Sequence, residues 1–173
     1  MYIPLKYIFL IVLSHSSFAN TEFVNFQGSI TNITCDFIGE QDGIERNTIK
    51  LGDYNISDIN NNNTDIILFS LNGRNIDGSP CTSGDYNHVD ITWHPQSGQW
   101  INGGLKNSGT AKGVAISLMN MKGDILNSKF NTVSYPLTGD SELRLPFLVQ
   151  IQKIDSVFAG TIKTAATFSI SYK

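Results

Sequence analysis

GTIKTAATFSISYK, residues 160–173, places Phe168, Ile170 and Tyr172 at every second position. That repeat belongs to an extended strand with one buried face, and no further strand follows it in the sequence. The stretch therefore predicts a β-domain whose last strand has an open edge. Working back along the chain, segments of the same kind recur. Residues 143–154 keep Leu145, Phe147, Val149 and Ile151 in phase until a break near Lys153, and residues 112–119 do the same with Val114, Ile116 and Leu118. Residues 88–93 alternate Val89, Ile91 and Trp93 with His88, Asp90 and Thr92, the pattern of a half-buried strand in an antiparallel sheet. Residues 48–51, 65–71 and 125–130 are shorter candidates, with turns at Gly52-Asp53, Asn72-Gly73 and 121–124. Residues 55–64 (NISDINNNNT) read as a polar loop, and no stretch sustains helical periodicity between a cap and a stop. Seven or eight short strands separated by Gly and Asn turns predict a β-sandwich.

The 173 residues suit one domain with a core of its own. Residues 1–19 have the layout of a secretory leader: Lys6, then an apolar run from Tyr7 to Leu13, then Ser17-Phe18-Ala19 as a cleavage site. The apolar run is far short of the roughly 20 residues of a membrane span, so the mature chain is expected outside the cytoplasm with no span. Loss of Lys6 leaves 11 basic residues against 15 acidic ones, a mild negative balance with no basic stripe for nucleic acid. Cys35 and Cys81 in an exported chain are expected to form a disulfide. Closing their separation removes about 4 kcal/mol of unfolded-state entropy in the chain-entropy model. Their spacing has no CxxC character, which argues against a metal or redox pair.

Residues 20–32 read as a separate arm. Val24, Phe26 and Ile30 share one face, with Gly28 between them, whereas Ile33, Cys35 and Phe37 are one step out of register. A one-residue slip sends side chains to the opposite face of a sheet. An open edge at one end of the chain and a free strand at the other invite pairing between chains.

On these residues the chain resembles the pilin subunits of type 1 fimbriae, assembled by the chaperone-usher route. The matching features are Phe26-x-Gly28 leading to Thr34-Cys35, Leu51-Gly52, Cys81, Gly113 to Leu118, Leu145-Pro146-Phe147, Gly160 fourteenth from the end and the penultimate Tyr172. The resemblance implies an incomplete immunoglobulin-like β-sandwich, residues 33–173, lacking its last strand and completed by a donor strand. It implies a periplasmic chaperone, an outer-membrane usher and neighbouring pilin subunits as partners, and a place in a fimbrium at the cell surface. Val24, Phe26, Gly28 and Ile30 would be the donor residues. Gly160, Phe168, Ile170 and Tyr172 would form the acceptor groove and the surface met by chaperone and usher. The short arm is similar to those of minor tip-fibrillum subunits; Glu22, on the face of Val24 and Phe26, departs from the family's apolar pattern.

Other chemistries find little support. His88, Asp90 and His94 share a strand face, but His88 and His94 would lie roughly 20 Å apart at about 3.3 Å per residue, too far to share an ion. No nucleophile motif or paired carboxylates point to an enzyme, and no cofactor is implied. Tyr86, Trp93 and Trp100 could form a sugar-stacking surface, which makes a lectin-like exported sandwich the alternative. Trp93 is in phase with core residues, so Trp100 is the expected exposed aromatic of the three. A self-contained exported sandwich, such as an inhibitor or a toxin subunit, is a third class.

Overall fold

The structure, a computed structural model, describes residues 35–138 and 141–173, which belong to the unit Asn32–Lys173. The expected leader and arm, including Val24, Phe26, Gly28 and Ile30, lie outside the described residues.

Among the described residues, ten strands and one short helix follow in the order β1 (Asp36–Gln41), β2 (Ile44–Glu45), α1 (Ile56–Asn60), β3 (Ile67–Arg74), β4 (His88–Pro95), β5 (Trp100–Ile101), β6 (Gly104–Lys106), β7 (Lys112–Met119), β8 (Thr132–Pro136), β9 (Arg144–Phe158) and β10 (Ala166–Tyr172). They form two antiparallel sheets, ordered β2-β1-β3-β9-β7-β6-β5 and β10-β4-β8. Within the larger sheet β1-β3-β9-β7 reproduces the A-B-E-D order of an immunoglobulin sandwich, and β4 beside β10 reproduces its C-F pair. A complete domain of that type has a further strand, G, on the free side of F. Among the described residues β10 pairs with β4 alone, from Ala166 opposite Pro95 to Tyr172 opposite Val89. The described residues thus form an immunoglobulin-like sandwich without its last strand.

The core sits between the sheets because the period-two apolar residues of both face inward. Phe147 of β9 stacks on Phe69 of β3 at 5.8 Å and meets Trp93 of β4 edge-on at 5.2 Å. Val89 and Ile91 of β4 are fully buried (0%), as is Phe147. On β10 the same inward phase holds, yet Ala166, Phe168, Ile170 and Tyr172 are only partly buried. That difference between neighbouring strands is the packing signature of a missing cover.

Several local expectations change. Residues 55–64 are not all loop: α1 forms there, with the Asp58 carboxylate accepting the Asn55 N–H at 3.0 Å. Its single turn is too short to display helical periodicity, and burial of Ile59 against Val114 and Ile151 holds it in place. Residues 125–130 make isolated bridges rather than a strand, and β8 forms just beyond them. The phase break at Lys153 is a bulge, not an end, so β9 runs on to Phe158: Val114 faces Lys153, while Lys112 faces Phe158. Gly113 lies opposite the bulge at φ +75°, and a Cβ there would stand 2.1 Å from the Ser156 carbonyl oxygen. Residues 48–51 join no ladder among the described residues, and they line a groove instead.

Candidate functional site

A groove of about 1600 Å³ runs beside the edge of β10 that no described strand pairs. One wall is the segment 46–51 and the other is residues 160–168; its floor includes Phe69, Leu71, Trp93, Ile116, Leu118 and Val149. These floor residues are members of the main core, so the opening reaches the centre of the sandwich. Sites for single small molecules usually enclose roughly 300–1,000 Å³. The larger volume and the two chain-like walls suit an extended peptide better.

Segment 46–51 is held at both ends although it has no strand partner among the described residues. The Arg46 N–H donates to the Gly39 carbonyl at 2.7 Å, across a contact so close that a Cβ on Gly39 would lie 2.7 Å from the Arg46 oxygen. Further along, the buried Gln41 side chain takes the place of a neighbouring strand. Its Nε2 donates to the Lys50 carbonyl at 3.0 Å, and its Oε1 accepts the Lys50 N–H at 2.9 Å. Nothing in the sequence pattern singled out Gln41.

The opposite wall is fixed by a clamp between residues 107–111 and 160–164. Ser108 N–H donates to the Lys163 carbonyl at 2.8 Å, Ala111 N–H to the Thr161 carbonyl at 3.0 Å, and Thr161 N–H to Thr110 Oγ1 at 2.8 Å. Gly160 sits inside this crossing. A Cβ there would lie 2.4 Å from Ala111 N and 2.6 Å from the Thr110 carbonyl carbon, so the approach of the two backbones excludes every side chain.

Of the four residues expected on this wall, Gly160 and Phe168 line the groove, whereas Ile170 and Tyr172 lie beyond its lining. Phe168 is directly opposite Trp93, ring centroids 5.2 Å apart. Ile170 pairs with Ile91, and Tyr172 with Val89, both packed against the main core. Tyr172 also meets Tyr86 at 5.3 Å. Burial, with a smaller contribution from Tyr86, pushes its hydroxyl up to about 12. The strand end is tied down by Lys173, whose carbonyl accepts the Asn87 and His88 N–H groups at 2.8 and 3.0 Å.

Buried polar groups brace the outer face of the larger sheet. Glu40 of β1 accepts from Asn72 Nδ2 of β3 at 2.8 Å, from Arg144 Nη2 of β9 at 2.7 Å and from the Gly43 N–H at 3.1 Å. The Asn72 hydrogen bond, aided by the Gly43 bond and the Arg144 charge and opposed by burial, holds the Glu40 carboxyl below its ordinary value. Cys35 and Cys81 are joined, with Cα atoms 6.0 Å apart, linking the start of β1 to the chain that leads into β4.

The polar face of β4 is already engaged. Asp90 pairs with Lys173 Nζ at 2.5 Å, and hydrogen bonds from Lys173 and Ser134 hold its carboxyl low. Among the described residues no group of three His, Cys, Asp or Glu could hold a metal ion. The aromatic trio does not gather either. Trp93 is buried (6%) among Phe69, Phe147 and Phe168, and Tyr86 leans on Tyr172. Trp100, expected to be exposed, is partly buried against the main core because β5 folds back on β6 and sets it opposite Leu105.

No family model and no curated protein sequence matches this chain. Among solved structures, the fold is similar to the P pilus rod subunit PapA, with a TM-score of 0.59 and 16% identity over 87% of this chain and 99% of that one. It is also similar to a chain in the structure of a chaperone-usher pilus that concerns rod uncoiling, with a TM-score of 0.55 and 17% identity over 89% and 96% of the two chains. The fold is therefore that of chaperone-usher pilus subunits.

Proposed function

We propose that the chain is a structural subunit of an adhesive fimbria and polymerises by donor-strand complementation. The observation that carries this proposal is the groove reaching the core beside the edge of β10 that is unpaired among the described residues. A strand laid there would take up the free backbone groups of β10 and cover the apolar floor, at roughly 25 cal/mol per Å² of apolar surface plus the ladder hydrogen bonds. During export a periplasmic chaperone would fill the groove, and at the outer-membrane usher the arm of a neighbouring subunit would replace it. In its turn, this chain's arm would present Val24, Phe26 and Ile30 to the next groove, with Gly28 where the cover is tight. Gly160 and Phe168 act in the groove, and Ile170 and Tyr172 continue the edge that the incoming strand must pair. The role is structural and adhesive, without covalent chemistry. The short arm favours a place in the tip fibrillum.

Thermal unfolding of the mature, oxidised chain tests the proposal, with and without the arm segment 20–32 fused after Lys173 through a flexible linker. The expected result is a large rise in melting temperature from a poorly cooperative parent. A parent that unfolds cooperatively and ignores the added strand would show that the sandwich is already complete.

A further inference from the structure

One corner of the larger sheet gathers lysines that no basic run in the sequence announces. Leu105 of β6 turns into the main core, so its neighbour Lys106, opposite Ala115 of β7, faces outward. Lys112 opens β7 opposite Phe158, and Lys153 of β9 lies opposite Val114. Lys163 joins them through the clamp: its carbonyl accepts the Ser108 N–H at 2.8 Å, and the Thr164 hydroxyl donates to the Lys106 carbonyl at 3.0 Å. All four lysines are exposed, and among the described residues none of them enters an ion pair. The two stretches that build the corner, residues 95–119 and 150–166, contain a single acid, Asp155, whose carboxylate accepts the adjoining Ser156 N–H at 2.7 Å. In a chain with 15 acidic residues, the acids lie elsewhere and leave this corner positive.

The surface beside these lysines is not flat. Residues 154–157 of β9 stand opposite Gly113 alone, and a depression of about 400 Å³ opens next to this bulge. Lys106 and Lys112 line it together with Gln99, Ile101 and Ile154. Ammonium groups suit sulfate and carboxylate groups, the Gln99 amide can donate to and accept from hydroxyls, and the two isoleucines offer apolar surface to the C–H face of a sugar ring. No aromatic side chain is among the lining residues, so the platform on which nucleic-acid bases stack is missing. Strands β9, β7 and β6 are successive in the sheet, which spreads their lysines over about 10 Å at roughly 4.8 Å per strand. That span fits several charges along one polymer better than a single small ion. We propose that this corner binds a sulfated polysaccharide, held by Lys106, Lys112 and Lys153.

Heparin is the probe, titrated calorimetrically against the full exported chain in its oxidised form. Binding should appear at low ionic strength and weaken as salt rises. The combined changes Lys106→Gln, Lys112→Gln and Lys153→Gln should weaken it about tenfold or more, whereas arginine at the same three positions should keep it. Lys122→Gln with Lys129→Gln removes exposed charge elsewhere and should leave affinity within about twofold. Fully desulfated heparin and a DNA duplex should each bind about tenfold more weakly than heparin. The changed side chains are exposed, so the melting temperatures should match that of the unchanged chain.

The proposal is overturned if the triple glutamine variant holds heparin as the unchanged chain does, if the Lys122 and Lys129 changes cost as much, or if the DNA duplex binds as tightly. It is independent of strand donation. A fused donor that fails to raise the melting temperature would strike donation and leave this surface standing. A chain that gains stability from the donor yet ignores heparin would do the reverse.

Discussion

Replacing Phe168 with alanine should cost far more in the complemented subunit than in the open one. In the open chain Phe168 is partly buried, tilted against Trp93 at 5.2 Å and facing the groove. Truncating a fully buried Phe costs about 3–5 kcal/mol, so a partly covered ring should cost about 2 kcal/mol. A donor strand that covers a further ~60 Å² of this ring adds about 1.5 kcal/mol at 25 cal/mol per Å², and more if a cavity remains. The penalty should thus grow by about 1.5–3 kcal/mol when the donor is present, which is roughly a 10- to 100-fold loss of donor affinity. Phe147→Ala is the control. Phe147 is fully buried against Phe69, Trp93 and Tyr135 in the open chain, so its penalty should be about 3–5 kcal/mol in either state. Urea unfolding of each variant, with and without a donor fused after Lys173, gives both differences at constant m-value. Equal penalties for Phe168→Ala in the two states would refute the assignment of this face to an incoming strand.

Gly160→Ala should destabilise the open chain by about 1–3 kcal/mol, because the added carbon would strike the Thr110 and Ala111 backbone; an unchanged melting temperature would rule out the clamp as the reason for glycine. Glu40→Gln should cost about 1–3 kcal/mol at neutral pH, chiefly through weakened hydrogen bonds, since Arg144 is 59% exposed and its charge well screened. The folded-state pKa of Glu40 is lowered, so its contribution is fully present above the unfolded value near 4.5 and fades as pH falls through the folded value. The gap between wild type and variant should therefore close in acid, and a gap that persists there would point to packing instead. Removing the disulfide with Cys35→Ala and Cys81→Ala should lower stability by about 2–4 kcal/mol in urea titrations. A shift below about 0.5 kcal/mol would mean that the unfolded chain is already constrained in that loop.

Strand identity was legible in the sequence wherever burial on one face leaves a two-residue repeat in one short stretch. β4, β7 and the first part of β9 follow directly from their alternating residues, as does the inward phase of β10. So does the core position of Trp93, which is in phase with Val89 and Ile91. The Cys35–Cys81 link followed from the export expected of the chain and from the cysteine count. Each of these rests on local pattern or composition, which the chain carries before it folds.

What only the tertiary structure decided are the relations between distant segments. That residues 46–51 would stand as a wall without a ladder depends on Gln41 reaching Lys50 and on Gly39 admitting Arg46. Gly160 is required because residues 107–111 cross there, some fifty positions earlier in the chain. Trp100 turns toward the core because the β5–β6 hairpin folds back, a geometry that Pro95 to Gly104 do not encode by periodicity. Whether a groove exists at all is a property of the gap between β10 and 46–51, and a gap has no sequence of its own. It is set by which strands find partners, and the free energy of that choice is summed over the whole sandwich.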